Sequence, residues 1–202
     1  MRALIVNCTL KASPDRSNTE ALAKVVADKL SAEGVEVDEI RAVDEAILPG
    51  VESDMGEGDG WPRVRQAIVG AEILVVATPT WLAHPSSVAQ RVLERMDAMI
   101  GETDDAGRPI AYGKVAGVVV TGNEDGAHHV ISEVSGALVD VGFTIPAQAW
   151  TYWNRGPGPG KSYLEDEAKH DWSRTTGETA AQNLVTAARA LAAEPFRVPV
   201  AE

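Results

Sequence analysis

An alternation running from end to end constrains this chain more than any other feature: short apolar runs are separated by longer segments in which apolar residues recur every three or four positions. Runs of the first kind are Arg2 to Asn7, Val35 to Ile40, Ile73 to Thr78, Val115 to Thr121 and Thr144 to Trp150. They read as five strands, and most are apolar at successive positions, as parallel strands covered on both faces require. Between them, Leu22, Val25, Val26 and Leu30 line one face of a helix from Asn18 to Glu33, and a weaker helix spans Pro62 to Gly70. Val88, Val92, Met96 and Met99 mark a third helix from Ser86, and Val130, Ile131, Val134, Leu138 and Val141 a fourth. A fifth, starting near Ser173, carries Ala180, Leu184, Ala187 and Leu191. Right-handed crossovers lay such helices on both faces of the sheet, so the pattern predicts a doubly wound, five-stranded parallel α/β sheet. Sheets of this kind bind ligands at the carboxyl ends of their strands, which directs attention to the loops there.

Size and composition narrow the function. At 202 residues and 45% hydrophobic, the chain is expected to form one globular domain with a buried core. Its apolar runs fall far short of the ~20 residues a membrane helix needs, and the amino-terminal run turns polar at Asn7, too soon for a secretory signal. No membrane insertion and a cytoplasmic location are the expectation. The single cysteine, Cys8, cannot form a disulfide within the chain or a thiolate metal cluster, and reads as a small buried hydrophobe in a reducing compartment. A net charge of −12 repels phosphate backbones, so no nucleic-acid partner is expected and small-molecule chemistry is favoured.

The loop after the first strand, Cys8 to Ser17, is rich in hydroxyls and has no glycine; the first glycine of the chain is Gly34. A dinucleotide fold needs glycines here so that backbone approaches a pyrophosphate, so that reading fails. A terminal phosphate monoester instead suits hydroxyls, the free N–H groups at a helix start and nearby cations. Thr9, Ser17, Asn18 and Thr19 supply the first two, and Lys11 and Arg16 the third. The competing explanation is a bare capping box, Ser17 as cap with Glu20 reaching back, which leaves Thr9 and the basic pair unexplained.

Pro79-Thr80-Trp81 follows the third strand and Thr121-Gly122-Asn123 the fourth. With the hydroxyl-rich first loop, these segments resemble the flavodoxin-like NAD(P)H-dependent FMN reductases and quinone reductases over nearly the whole chain. The resemblance implies a flavodoxin-like sheet of order 2-1-3-4-5, with residues 1–193 as the FMN-binding domain and 194–202 as an irregular extension. It implies that Thr9, Lys11, Ser17, Asn18 and Thr19 meet the FMN phosphate, that Pro79, Thr80, Trp81 and Leu82 lie beside the ring, and that Thr121, Gly122, Asn123 and Glu124 meet its polar edge, with His128 near its pyrimidine side. It also implies FMN as cofactor, NADPH or NADH as co-substrate, and a homodimer or homotetramer. The residues agree independently: a flat ring with an apolar face and a uracil-like edge wants an aromatic or apolar wall and amide groups in its plane. Both later loops also read as ordinary strand-to-helix turns with Ser86, and Asn123 or Asp125, as caps.

Five of the ten aromatic residues are Trp, and Trp61, Trp81, Trp150, Trp153 and Trp172 all fall in segments expected at the carboxyl edge of the sheet. Rigid aromatics gathered there suggest a stacking site or an interface. Arg155 to Ser162 misses a triphosphate-binding loop, with Arg155 where glycine is required and prolines removing backbone donors; it reads as a solvated loop or a cover whose Arg155 or Lys161 meets pyridine-nucleotide phosphates. His128 and His129 with Glu124 are not read as a metal site, because adjacent helical residues point about 100° apart. The acidic stretch Glu52 to Gly60 reads as a flexible solvated loop. No Gly-x-Ser-x-Gly elbow occurs, and a phosphoacceptor receiver domain would need acidic residues where Asn7 and Cys8 stand.

These features lead to an FMN-dependent oxidoreductase that takes hydride from a reduced pyridine nucleotide and delivers electrons to a small-molecule acceptor such as a quinone or free flavin. The alternative is a flavodoxin-type electron carrier without pyridine-nucleotide activity, which the acidic surface also suits.

Overall fold

The computed structural model describes residues 1–157 and 160–197. Five parallel strands, β1 (Arg2–Asn7), β2 (Glu36–Arg41), β3 (Ile73–Trp81), β5 (Val115–Gly122) and β6 (Trp150–Asn154), lie in the order β2-β1-β3-β5-β6. A two-residue strand, β4 (His84–Pro85), folds back antiparallel on the end of β3, pairing Thr80 with Pro85 and Trp81 with His84. The five parallel strands therefore take the expected order, and only the numbering changes.

Helices α2 (Trp61–Val69), α3 (Ser87–Met96) and α4 (Ala127–Val141) cover one face; α1 (Asn18–Ala32) and α5 (His170–Ala193) cover the other. The central strands alternate between these layers: Leu4, Val6, Leu74, Val76, Val118 and Val120 face the first, and Ile5, Ile73, Val75, Val115 and Val119 the second. Both sets are buried, which is why these runs are apolar at every position. Ser17 caps α1 by accepting the Glu20 N–H, and Gly34 at φ +82 lets the chain leave its far end, where the Val35 N–H bonds back to Leu30.

Two expectations are corrected. The last strand is Trp150–Asn154, not Thr144 to Trp150. Thr144 makes only an isolated bridge to Val115, Pro146 has no N–H to give a ladder, and Gln148 stands in the left-handed region at φ +50. The acidic stretch is not simply solvated either, because Asp59 and Arg95 form a fully buried ion pair with N···O 2.8 Å. Arg95 also donates to the carbonyls of Leu48 and Glu52 and lies 5.5 Å from the centre of the Trp61 ring, so the 48–60 loop is pinned to α3. Of the anticipated extension, Phe196 packs edge-on to Tyr112, and residues 198–202 lie outside the described residues.

Candidate functional site

Loops leaving β1, β3, β5 and β6 enclose a cavity of about 350 Å³, the scale of a small-molecule site. The first loop keeps its shape without glycine because side chains hold it from outside. Asn7, buried at the end of β1, accepts the Thr9 N–H and donates to Glu39. Arg41, at the end of β2, donates to the carbonyls of Lys11 and Asp15 at 3.4 and 2.9 Å and pairs with Glu20 at 2.8 Å. Asp44 accepts both the N–H and the hydroxyl of Ser13, and these bonds hold its carboxyl below its usual range. Thr9, Lys11, Asn18 and Thr19 line the cavity, with the Lys11 ammonium 3.3 Å from the Arg16 carbonyl. Ser17 does not line it: its hydroxyl is committed to the Glu20 N–H. The Glu20 carboxylate, which a capping box would turn back, pairs with Arg41 instead, and the Arg16 side chain is exposed outside the cavity.

The second loop is the β3–β4 hairpin. Pro79, Thr80 and Trp81 line the cavity, and Trp81 is 54% exposed. Leu82 and Ala83 stand at φ +51 and +63 and turn the chain outward. The Leu82 N–H donates to the Glu124 carboxylate at 2.8 Å, so these two residues brace the second loop against the third rather than line the cavity. The Thr80 hydroxyl oxygen is buried with no hydrogen-bond partner in the protein. Gly122 makes room for the methyl group of the same side chain, since a Cβ there would stand 2.2 Å from Thr80 Cγ2.

Thr121, Gly122 and Asn123 line the cavity from the third loop. His128 does not: its ring packs edge-on to Trp150 and Tyr152, at centroid distances of 5.5 and 5.1 Å. Cys8 is buried, and burial pushes its thiol up to about 12, so it is no nucleophile.

The fourth wall is the end of β6 and the segment after it. Trp153, Ser162, Tyr163 and Glu165 line the cavity, as does Leu10 of the first loop. Trp153 donates its indole N–H to the Ala168 carbonyl and meets Tyr163 edge-on, while Tyr163 stacks on His170 at 4.0 Å. Two anticipated ligands hold this segment down: Asn18 accepts the Leu164 N–H and Asn123 donates to the Gly160 carbonyl, each at 3.0 Å. Arg155 pairs with Asp166 at 2.7 Å, and Gly158 and Pro159 lie outside the described residues. In the sequence, the density of aromatics from Trp150 to Tyr163 and the reading of Arg155 to Ser162 as a cover hinted at this wall. Of the five tryptophans, Trp81 and Trp153 line the cavity. Trp61 is buried in the core, Trp150 opens β6 at its amino end, and Trp172 packs on Tyr152.

The sequence model of the NADPH-dependent FMN reductase family matches residues 1–156. The 8-demethyl-8-aminoriboflavin-5'-phosphate synthase of Streptomyces davaonensis is 36% identical over 174 residues, covering 82% of this chain and 68% of that protein. A Mycobacterium bovis protein described as divalent metal cation transporter MntH is 41% identical over 169 residues, 82% of this chain but 25% of that protein, so the chain spans about a quarter of its length. Among the described residues no helix is long and apolar enough to cross a membrane. A crystal structure of RosB with bound 8-demethyl-8-formylriboflavin-5'-phosphate superposes with a TM-score of 0.88 at 34% identity, covering 97% of this chain and 82% of that one. A Streptococcus flavodoxin shares the fold, with a TM-score of 0.57 at 18% identity over 92% of this chain and 99% of that one.

Proposed function

Because the chain belongs to the NADPH-dependent FMN reductase family, we propose that the cavity holds FMN and that the protein passes hydride equivalents from NAD(P)H through it to a small-molecule acceptor such as a quinone or free flavin. One observation carries this reading: the cavity joins a cationic, hydroxyl-bearing wall from the first loop to an apolar, aromatic wall from the second. The donor set fits the cofactor. Lys11, the Thr9 and Thr19 hydroxyls and the start of α1 suit a phosphate monoester. The partnerless Thr80 hydroxyl is a buried polar group that a flavin edge would satisfy.

When bound, FMN supplies the hydride chemistry, and the protein binds and orients it. Trp81 and Pro79 offer apolar surface to a planar ring. The Leu82–Glu124 bond holds that wall in place, and the segment from Gly160 to Asp166 limits access of water. No side-chain acid or base is required. Donor and acceptor would use the same ring face in turn, so ping-pong kinetics are expected.

The test is to reconstitute the protein with FMN and add NADPH or NADH without oxygen. A yellow protein that bleaches, then recolours with a quinone, supports the reading. A yellow protein that neither nucleotide bleaches overturns it in favour of an electron carrier, and failure to take up FMN overturns both.

A second reading, in which FMN is substrate rather than resident cofactor, is favoured by the 36% identity to a synthase of an 8-amino riboflavin phosphate and the 34% identity to RosB. Mass analysis of the flavin recovered after aerobic incubation with an amine donor such as an amino acid separates the two: altered flavin supports the second reading, and unchanged FMN rejects it.

A further inference from the structure

On the outer side of the β3–β4 hairpin, away from the cavity lining, three metal-ligating side chains converge. His84 comes from β4, and His129 and Glu133 sit one turn apart on α4. One atom of each lies within 4.8 Å of the other two, the only such grouping of three among the described residues. His84 Nδ1 and His129 Nε2 are 3.5 and 3.6 Å from the same carboxylate oxygen, Oε2 of Glu133.

Those distances decide between two accounts. They exceed the ~2.7–3.2 Å of a good N–H···O bond, so the one hydrogen bond in the cluster, His84 Nδ1 to Glu133 at 3.5 Å, is a weak one. A tetrahedral cation bound at ~2.0–2.1 Å holds its ligand atoms roughly 3.3–3.4 Å apart, close to the two edges observed. The carboxylate is also oriented: its other oxygen, Oε1, accepts the side-chain N–H of Gln90, leaving Oε2 toward the imidazoles, as supporting groups around a metal do. Backbone geometry brings the hairpin this close. Gly126, at φ +106, precedes α4 with no room for a Cβ, which would stand 2.6 Å from that of Ala83.

We propose that His84, His129 and Glu133 bind a first-row divalent transition cation that clamps the β3–β4 hairpin to α4. Two imidazoles and one carboxylate select Zn²⁺, Co²⁺ or Ni²⁺ over Mg²⁺ or Ca²⁺. Both histidines are exposed, leaving coordination positions open to water, and the net charge of −12 favours cation capture. Since the hairpin carries Pro79, Thr80 and Trp81, the cation would hold one wall of the cavity in place. This inference does not depend on the identity of the cavity's ligand.

The experiment uses the full chain, stripped with a chelator, titrated with Zn²⁺ by calorimetry and with Co²⁺ by visible absorption. One ion per chain is expected. H84A, H129A and E133Q should each weaken binding by at least about tenfold, and H128A should not. Circular dichroism checks that each variant is folded. Slower amide exchange at residues 82–84 with Zn²⁺ is the sign of the clamp. Absence of binding, or binding undiminished in H84A, overturns the proposal, as does unchanged exchange in the hairpin.

Discussion

The hydroxyl oxygens of Thr19 and Thr121 lie 2.9 Å apart, joining the first turn of α1 to the end of β5 across 102 positions of sequence. Both residues are buried and both line the cavity, so this bond sets the spacing between its first and third loops. T121V leaves the Thr19 hydroxyl without its partner, and the expected loss of stability is about 1–2 kcal/mol, from one unsatisfied buried group. T19V together with T121V should cost less than the sum of the single changes. Urea denaturation of the four proteins measures this coupling, and strict additivity would show that the bond has no energetic role.

Glu165 places a carboxylate in the same cavity as Lys11. Bonds from the Ser162 N–H and hydroxyl, at 2.9 and 2.7 Å, hold its carboxyl below the usual range, so it is anionic at neutral pH. An incoming phosphate meets like charge there. E165Q keeps an acceptor for Ser162 and removes the charge, and should tighten FMN binding roughly three- to tenfold at low salt, less at high salt, as one partly screened like-charge contact predicts. Quenching of flavin fluorescence reads the affinity. Unchanged or weaker binding in E165Q would count against a phosphate near this wall.

Asp59 of the 48–60 loop and Arg95 of α3 pair out of solvent. Burial alone would raise the Asp59 carboxyl, but Arg95 and the N–H groups of Met55, Trp61 and Leu48 outweigh it, and the net shift is well below the usual range. A depressed folded pKa adds stability above the unfolded value, and this is lost as pH falls below about 4. D59N should cost about 3–5 kcal/mol at neutral pH, because it strands the buried guanidinium. It should also flatten the acid limb of stability, which guanidinium unfolding between neutral and acid pH measures. A loss below about 1 kcal/mol would mean the pair behaves as a surface ion pair.

How much of this was legible in the sequence follows from the range of each interaction. The helical stripes and apolar strand runs depend on neighbours a few residues away. Handed crossovers leave few ways to join them, so the doubly wound sheet and the site at its carboxyl edge could be read directly, while the strand order came with the family resemblance. The same holds for the hydroxyls and Lys11 of the first loop, which sit where a strand must hand over to a helix. The displaced last strand lost its signal locally, because Pro146 and the left-handed Gln148 interrupt an apolar run that periodicity alone would extend.

Other features depend on where distant side chains meet. Asp59 reads as one more surface acid until α3 brings Arg95 over it, and His84 reads as a loop residue until Gly126 lets the hairpin approach α4. Asn18 and Asn123 are the donors and acceptors a ligand loop should have, yet tertiary structure turns one to Leu164, 146 positions away, and the other to Gly160. Chain order and residue type therefore determined the sheet, its layers and the chemistry available at its edge. The partner each polar group takes was decided only by packing, because strand register and loop path bring together residues that share no local pattern.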